Sequence, residues 1–472
     1  MSLGDVVASL IEIAGLKLAA DGSIRDRGGD SWGLAGWGLY RCTDGAVSIA
    51  IRDPEQLAVV ADTLGVPELK DERYAGYMWG ICDAVEEAHA LLTAGFLGLS
   101  ADAVVAALRP HRIAIAPAHD LSRLLIDPHL TTRGAFRSEG GISLPAFPIR
   151  GLGSAAATEG AYRGTATEAT RPLADVRVLD LSSVWAGPMA ARLLADLGAD
   201  VTKVERPKRQ VGQYRTGAAW DRDFYAILND RNKRVFRGDL QSGADRAALE
   251  GLIRDADILI ENFLPGSLDR LGLGHAAMHQ INPRLIVVSM PALGLDGPEA
   301  HATGYGSTIE QAAGLGWLYT DAAGLTHRSG INFSNPIAGL YGAIGATLAL
   351  CTERSRSVIE VSQQEAALSL MLPTLAAFQV SGKRPRAVEA TSDHGDWTFP
   401  GASGEAMPVR NVAEVVGLPD APGSWATRWL RHPDGRDYPL VGLPWHGAFS
   451  AAVPIEAARM PEPLTDEVRE HD

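Results

Sequence analysis

The sequence predicts an α/β protein built on a parallel, doubly wound sheet, with a smaller α+β portion beside it. Between residues 172 and 382, short apolar runs alternate with helical stretches, the pattern of strand–helix–strand units. Before residue 136 the texture differs, with shorter strand-like and helical pieces following one another. The chain is long enough for both, since 472 residues at 46% hydrophobic and 21% charged leave room for two or more domains.

The first segment, 1–136, opens on MSLGDVVASLIEIAGLKLAADGS, whose apolar residues recur at helical spacing. Asp5 and the lack of a basic leader suit an amphipathic helix better than a signal peptide. YRCTDGAVSIAIR reads as strand, and helices are expected near 54–64, 83–98 and 101–109. Residues 137–171 turn to Gly, Ala, Thr and Pro, the composition of a linker or surface strap.

The large domain is expected over 172–382. VRVLDLS (176–182) is a buried-strand run, PMAARLLADLG a helix closed by Gly198, and DVTKVER a second strand. DILIEN (257–262), RLIVVSMPAL (284–293) and SVIEVSQ (357–363) read as further strands, with helices near 307–315 and 336–351. From 383 to 472 the chain is a shortened tail rich in Pro, Gly and Arg, to which no fold is assigned.

Several function classes are disfavoured at once. A formal charge of −14 and a pI near 5.4 argue against non-specific nucleic-acid binding, although the run KVERPKRQ (203–210) suits a small anion. Cys42, Cys82 and Cys351 form no CxxC or Cys/His cluster, so neither a disulfide framework nor a metal site is indicated, and a cytoplasmic location is expected. No run of about 20 apolar residues suggests a membrane span. GLGSAA (151–156) matches a dinucleotide fingerprint, but the following ATEGAYRG opens a helix poorly, and the turn after strand 176–182 lacks the pattern. No NAD or FAD site is expected.

SGINFSNPIAGLYGA (329–343) reads as the front of a buried helix, with Asn335 at the N-cap and Pro336 at the first helical position.

Five segments in order resemble the family III CoA-transferases, the group of formyl-CoA and carnitine CoA-transferases and α-methylacyl-CoA racemases. They are PLADVRVLDLSSVWAGPMAARLLADLGADVTKVERP (172–207), NDRNKR (229–234), DILIENFLPGSLDRLGLG (257–274), NPRLIVVSM (282–290) and GYGSTIEQAAGL (304–315). YRCTDGAVSIAI, LGVPEL, RIAIAP and DPHLTTRGAF resemble the family's smaller domain. The resemblance implies a Rossmann-like open parallel sheet, a smaller α+β domain and an interlocked dimer. The order departs from the family, because the small-domain-like segment comes first, as in a permuted unit or the later part of a tandem chain. LTDEVRE (464–470) resembles the family's closing helix.

The resemblance also implies a chemistry. A family aspartate attacks an acyl-CoA thioester to give a mixed anhydride, CoA thiolate returns to form an aspartyl-CoA thioester, and an acceptor acid takes the CoA. At that position this chain carries Asn335, a poor nucleophile, within Asn335-Pro336-Ile337-Ala338-Gly339. The racemase branch pairs the same aspartate with Gly-His-Asp, where this chain has Tyr305 and Gly306. Glu310, Asp321, Glu360 and Glu365 are the carboxylates nearest in sequence, each more readily explained as structural.

Residues matching the family's CoA contacts are Val184, Trp185 and Ala186 in the first strand–helix turn, with Gly187-Pro188 opening the helix, then Arg206, Lys233, Asn262, Phe263 and Arg270. Tyr305 matches a position lining the acyl pocket, and Leu264 stands where the family often has Arg. The ligand implied is coenzyme A as acyl-CoA substrate, without metal or NAD. The partners implied are a carboxylic acid acceptor and a second chain, in a homodimer or in a heterodimer with a catalytic paralogue. A non-catalytic CoA-binding subunit of a heteromeric transferase and an interaction module that has lost its ligand are the alternatives.

Overall fold

The computed structural model describes residues 36–74, 84–151, 171–205, 224–239, 242–320, 326–352 and 357–383, together with five short strands between 391 and 441. The helix expected at the N-terminus, most of the 137–171 strap, Arg206, Asp321 and the closing helix expected at 464–470 lie outside the described residues.

The N-terminal portion begins with a hairpin of β1 (Trp37–Cys42) and β2 (Gly45–Ala50), and α1 (Pro54–Leu64) follows. Asp53 accepts a hydrogen bond from the Gln56 N–H, Pro54 fixes the first turn, and Gly65 at φ 68° closes the last. After α2 (Val85–Phe96) and α3 (Ala101–Leu108), β3 (Ala114–Pro117) pairs antiparallel with β2. Tyr40, Val47, Ile49, Leu92, Phe96 and Leu108 bury the apolar faces of these elements in one core. Two short helices, α4 (Leu121–Leu125) and α5 (Pro128–Thr132), are each opened by a capping aspartate, Asp120 and Asp127. The hairpin β4 (Phe136–Glu139) and β5 (Ile142–Pro145) leads into the strap.

The large portion runs β6 (Arg177–Asp180), α6 (Ala186–Asp196), β7 (Asp200–Glu205), α7 (Phe224–Asn229), β8 (Lys233–Arg237), α8 (Gly243–Asp255), β9 (Ile258–Glu261), α9 (Ser267–Arg270), α10 (His275–Ile281) and β10 (Ile286–Ser289). Then come α11 (Gly306–Ala312), α12 (Ser334–Cys351), β11 (Val358–Glu360), α13 (Gln363–Leu368) and α14 (Leu372–Ser381). The sheet is six-stranded in the order β11-β10-β9-β6-β7-β8, and every pairing in it is parallel. Successive strand residues serve opposite faces. Val178, Ile258, Ile260 and Val288 pack under α6 and α12, while Leu179, Leu259 and Val287 pack with α8 and α10. Gly342 permits the close approach of α12, since a Cβ there would lie 2.6 Å from Met290 Sδ and 3.0 Å from Ala190 Cβ.

The expected mixed α/β class and parallel sheet are thus present. Two starts differ from expectation. Helix α6 begins at Ala186, two residues before Pro188, and α12 begins at Ser334 rather than Pro336. In the tail, β12 (Thr391–Asp393), β13 (Asp396–Pro400) and β14 (Ala406–Pro408) form a three-stranded antiparallel sheet, and β15 (Thr427–Arg431) pairs with β16 (Asp437–Val441). Among the described residues, no single helix is long and apolar enough to cross a membrane.

The N-terminal portion docks on the large one through α11, which packs against β2 and β3, and through Tyr305, which packs against Trp37, Ala50 and Ala114. Beside this contact lies the buried Arg133, just past α5. Its Nε donates to Glu365 at 2.6 Å, Nη2 donates to Glu360 at 2.6 Å, and Nη1 pairs with Asp296.

Candidate active site

The strand order reverses between β6 and β9, neighbours whose following connections leave in opposite directions. Open α/β sheets form a ligand crevice beyond the carboxyl ends of such a pair. A cavity of about 250 Å³ opens there. Its walls come from the turn after β6 (Ser183, Val184, Trp185, Ala186), the turn after β9 (Asn262, Phe263, Leu264, Ser267), the approach to α11 (Ala292, Thr303–Gly306) and the front of α12 (Asn332, Asn335). Trp37 of β1 and Gln363 of α13 complete it.

The two strand-end turns are locked together. Ser183 N–H donates to Asn262 Oδ1 at 2.9 Å, and Asn262 Nδ2 returns a hydrogen bond to the Ser183 carbonyl at 2.8 Å. Val184 is held at φ 69°, a costly conformation for a β-branched residue and one that persists where surroundings over-determine it. Gly187 has no room for a side chain, because a Cβ would fall 2.3 Å from Ser182 Cβ. Below the turn, the fully buried Asp180 accepts hydrogen bonds from Ser182 N–H at 3.0 Å, from the Ser182 hydroxyl and from Lys233 Nζ at 2.8 Å. Burial pushes the Asp180 carboxyl up, but the ammonium groups of Lys203 and Lys233 outweigh it and hold it down at about 2.

Lys233 therefore corrects an expectation. It is 1% exposed, it donates to Asp180 and to the Pro188 carbonyl at 2.9 Å, and it does not line the cavity. Its charge supports the turn from inside the fold. Arg270 lies exposed beside the opening, its Nη2 donating at 3.1 Å to Ser267, which does line the cavity. Val184, Trp185, Ala186, Asn262, Phe263, Tyr305 and Asn335 all meet in the one cavity.

Asn335 is not the helix cap that its sequence position suggests. It is the second residue of α12, 8% exposed, while Phe333 before the helix already has helical backbone angles of φ −54° and ψ −23°. The chain just before the helix finds its acceptor on another element instead. Glu310 of α11 accepts the Phe333 N–H at 2.6 Å, and the Ser334 hydroxyl donates to the Gly306 carbonyl at 3.0 Å. The Ser329 hydroxyl donates to both Glu310 oxygens at 2.8 Å and accepts from the N–H groups of Ile331 and Asn332 at 3.2 Å. Burial drives the Glu310 carboxyl up to about 7 against the opposing pull of Ser329, the Phe333 N–H and Arg328.

Gly306 shows why the front of α12 and the start of α11 fit together. A Cβ at Gly306 would lie 2.6 Å from both Asn332 Cβ and Asn335 Nδ2. A Gly-His-Asp arrangement with its aspartate at this position would collide with the same two side chains. Tyr305 packs its ring 5.3 Å from that of Trp37, and burial raises its hydroxyl pKa against the opposing influence of Arg52. Of the carboxylates nearest in sequence, the three among the described residues are engaged elsewhere. Glu360 and Glu365 bind Arg133, Glu365 also binds Arg150 at 2.9 Å, and Glu310 holds the turn before α12. Among the described residues, no carboxylate lines the cavity.

Sequence reasoning missed Trp37, Asn332 and Gln363. Trp37 belongs to a strand that reaches the cavity only through docking of the N-terminal portion. Gln363 is fixed by a hydrogen bond from its Nε2 to the Met290 carbonyl at 2.8 Å. A local signal existed only for Asn332, an asparagine placed between Gly330 and a helix start, where a left-handed backbone is common.

A family model described as CoA-transferase family III matches residues 1–159 and 173–401. Succinyl-CoA--D-citramalate CoA-transferase of Chloroflexus aurantiacus is 32% identical over 271 residues, covering 53% of this chain and 66% of that protein. The succinyl-CoA--L-malate CoA-transferase beta subunit of the same organism is 37% identical over 187 residues, covering 39% and 46%. A CAIB/BAIF family protein from Brucella suis, solved by crystallography, is 27% identical with a TM-score of 0.42, covering 50% of this chain and 65% of that one. The chain thus spans about half to two thirds of the length of these relatives. With the family model matched over most of its residues, the chain belongs to CoA-transferase family III.

Proposed function

We propose that this chain binds acyl-CoA thioesters in the cavity between β6 and β9 as a subunit of a CoA-transferase, and that it does not form the acyl-enzyme anhydride itself. The observation that carries the reading is Asn335. It lines the cavity at the front of α12, where a carboxylate nucleophile is expected, and no carboxylate among the described residues lines the cavity in its place. An amide nitrogen is delocalised into its carbonyl and attacks a thioester poorly, so the site keeps its recognition surface while lacking its nucleophile. The thioester end of the ligand would lie towards Asn335, Tyr305 and Gly306. The nucleotide end would lie towards the turn 183–186 and Arg270, with Arg206 a further candidate for phosphate.

The beta subunit among the relatives favours one form of this reading, a heteromeric transferase in which a partner chain supplies the aspartate. Acceptor carboxylic acids would then be used by the pair rather than by this chain alone. A location in the cytoplasm belongs to the same proposal.

Isothermal calorimetry of the purified chain with butyryl-CoA tests the binding half. The expected result is saturable binding that Asn262→Ala weakens about tenfold by releasing the Ser183 turn. No heat of binding with any CoA ester would leave only an interaction module.

A further inference from the structure

Asn332 lines the cavity, is 5% exposed and stands at φ 62°, one of four non-glycine residues at positive φ among the described residues. Its backbone is fully used. The N–H donates to Ser329 Oγ at 3.2 Å, and the carbonyl accepts the Asn335 N–H at 3.1 Å. Its side-chain oxygen is buried and has no hydrogen-bond partner among the described residues. Buried amide oxygens are nearly always paired, and one left unpaired at a cavity wall marks where a ligand atom completes the set. The position is tightly constrained, because Gly306 packs against the Asn332 Cβ and the Ser329–Glu310 hydrogen bonds fix the preceding turn. Backbone and Cβ are therefore held at the front of α12, and rotation about the last side-chain bond only exchanges the amide oxygen and nitrogen at the same place in the cavity wall.

We propose that Asn332 is a ligand-binding residue of this cavity, its amide oxygen accepting a hydrogen bond from an O–H or N–H donor on the bound CoA thioester. The inference rests on the binding proposed above and specifies the ligand further. An acyl-CoA carries such a donor close to its thioester in two places, an amide N–H of the pantetheine arm and, in hydroxyacyl esters, a hydroxyl of the acyl group. The neighbouring amide of Asn335 faces the same space, so the thioester carbonyl and the donor would meet two side-chain amides side by side.

The test compares the wild-type chain, Asn332→Gly and Asn332→Asp by calorimetry with CoA, butyryl-CoA and 3-hydroxybutyryl-CoA. Glycine tolerates the left-handed backbone and removes the acceptor, and aspartate tolerates it while keeping an acceptor oxygen. The expected result is binding weakened by about tenfold in Asn332→Gly and recovered to within about threefold in Asn332→Asp. Equal weakening for all three ligands identifies the pantetheine amide as the donor, whereas weakening confined to 3-hydroxybutyryl-CoA identifies the acyl hydroxyl. Wild-type affinity of Asn332→Gly for all three ligands would overturn the inference while leaving the binding reading intact. So would a loss that Asn332→Asp fails to recover. A wild-type chain that binds none of them would overturn both.

Discussion

Glu310 and Asn335 trade places in their apparent roles. By sequence, Asn335 is a cap and Glu310 a structural carboxylate, solvated or hydrogen-bonded, within a helix. In the fold, Glu310 is buried and accepts the N–H of Phe333 that opens α12, while Asn335 faces the cavity. Local sequence cannot reveal this, because the capping oxygen comes from 23 residues upstream. The exchange has a consequence for stability. The Glu310 carboxyl sits near 7 when folded, against an ordinary value of 4.5, so the folded state holds a proton that the unfolded state has released between those values. Its contribution is fully present below about pH 4.5 and is lost as pH rises through 7, at about 1.36 kcal/mol per pH unit in the window. Chemical denaturation of Glu310→Gln between pH 5 and 7.5 should show a flatter pH dependence than the wild type. An unchanged slope would assign the titration to another group. Lys233 teaches a related lesson, since a lysine in NDRNKR reads as surface and yet is buried against Asp180. Asp230, three residues away, pairs with it locally at 3.4 Å, but Asp180 and the Pro188 carbonyl are 53 and 45 residues away.

Elements were more legible than residues. The strands of the large sheet were readable because burial on both faces produces continuous apolar runs such as ILIE and IVVS. The site turns are singled out by the family resemblance, and each directly follows a strand, so that Val184 and Asn262 meet once β6 lies beside β9. The tail hairpins were not legible, since Pro and Gly interrupt the alternation that marks a strand. The small residues of α12 mark it as buried, but the reason for them lies in the neighbour. Gly339 and Gly342 let it rest against Met189 and Met290. Gly342→Leu should destabilise the protein by about 1–3 kcal/mol through overpacking, measured as a lower urea midpoint at unchanged m. A midpoint equal to the wild type would mean that α12 does not rest on α6 this closely.

At the scale of the whole molecule, the site depends on joining the N-terminal portion to the large sheet. Trp37 reaches the cavity from β1, and Arg133 binds Glu360 and Glu365 across the same junction. No single segment of sequence encodes this contact, so the sequence does not mark Trp37 as a site residue. Removing one member of a buried ionic cluster leaves uncompensated charge, so Arg133→Leu should cost about 3–5 kcal/mol in equilibrium unfolding. It should also weaken CoA-ester binding by loosening the wall that carries Trp37. Full stability in Arg133→Leu would show that the cluster does not tie the two portions together.

In the proposed function, this cavity binds an acyl-CoA thioester while Asn335 at its wall is no nucleophile. Intact-protein mass spectrometry after incubation with butyryl-CoA and hydroxylamine tests it most directly, with the wild type and Asn335→Asp side by side. The expected result is no modification of the wild type and a hydroxamate in Asn335→Asp, which peptide mapping places at residue 335. A hydroxamate on any carboxylate of the wild-type chain would contradict it.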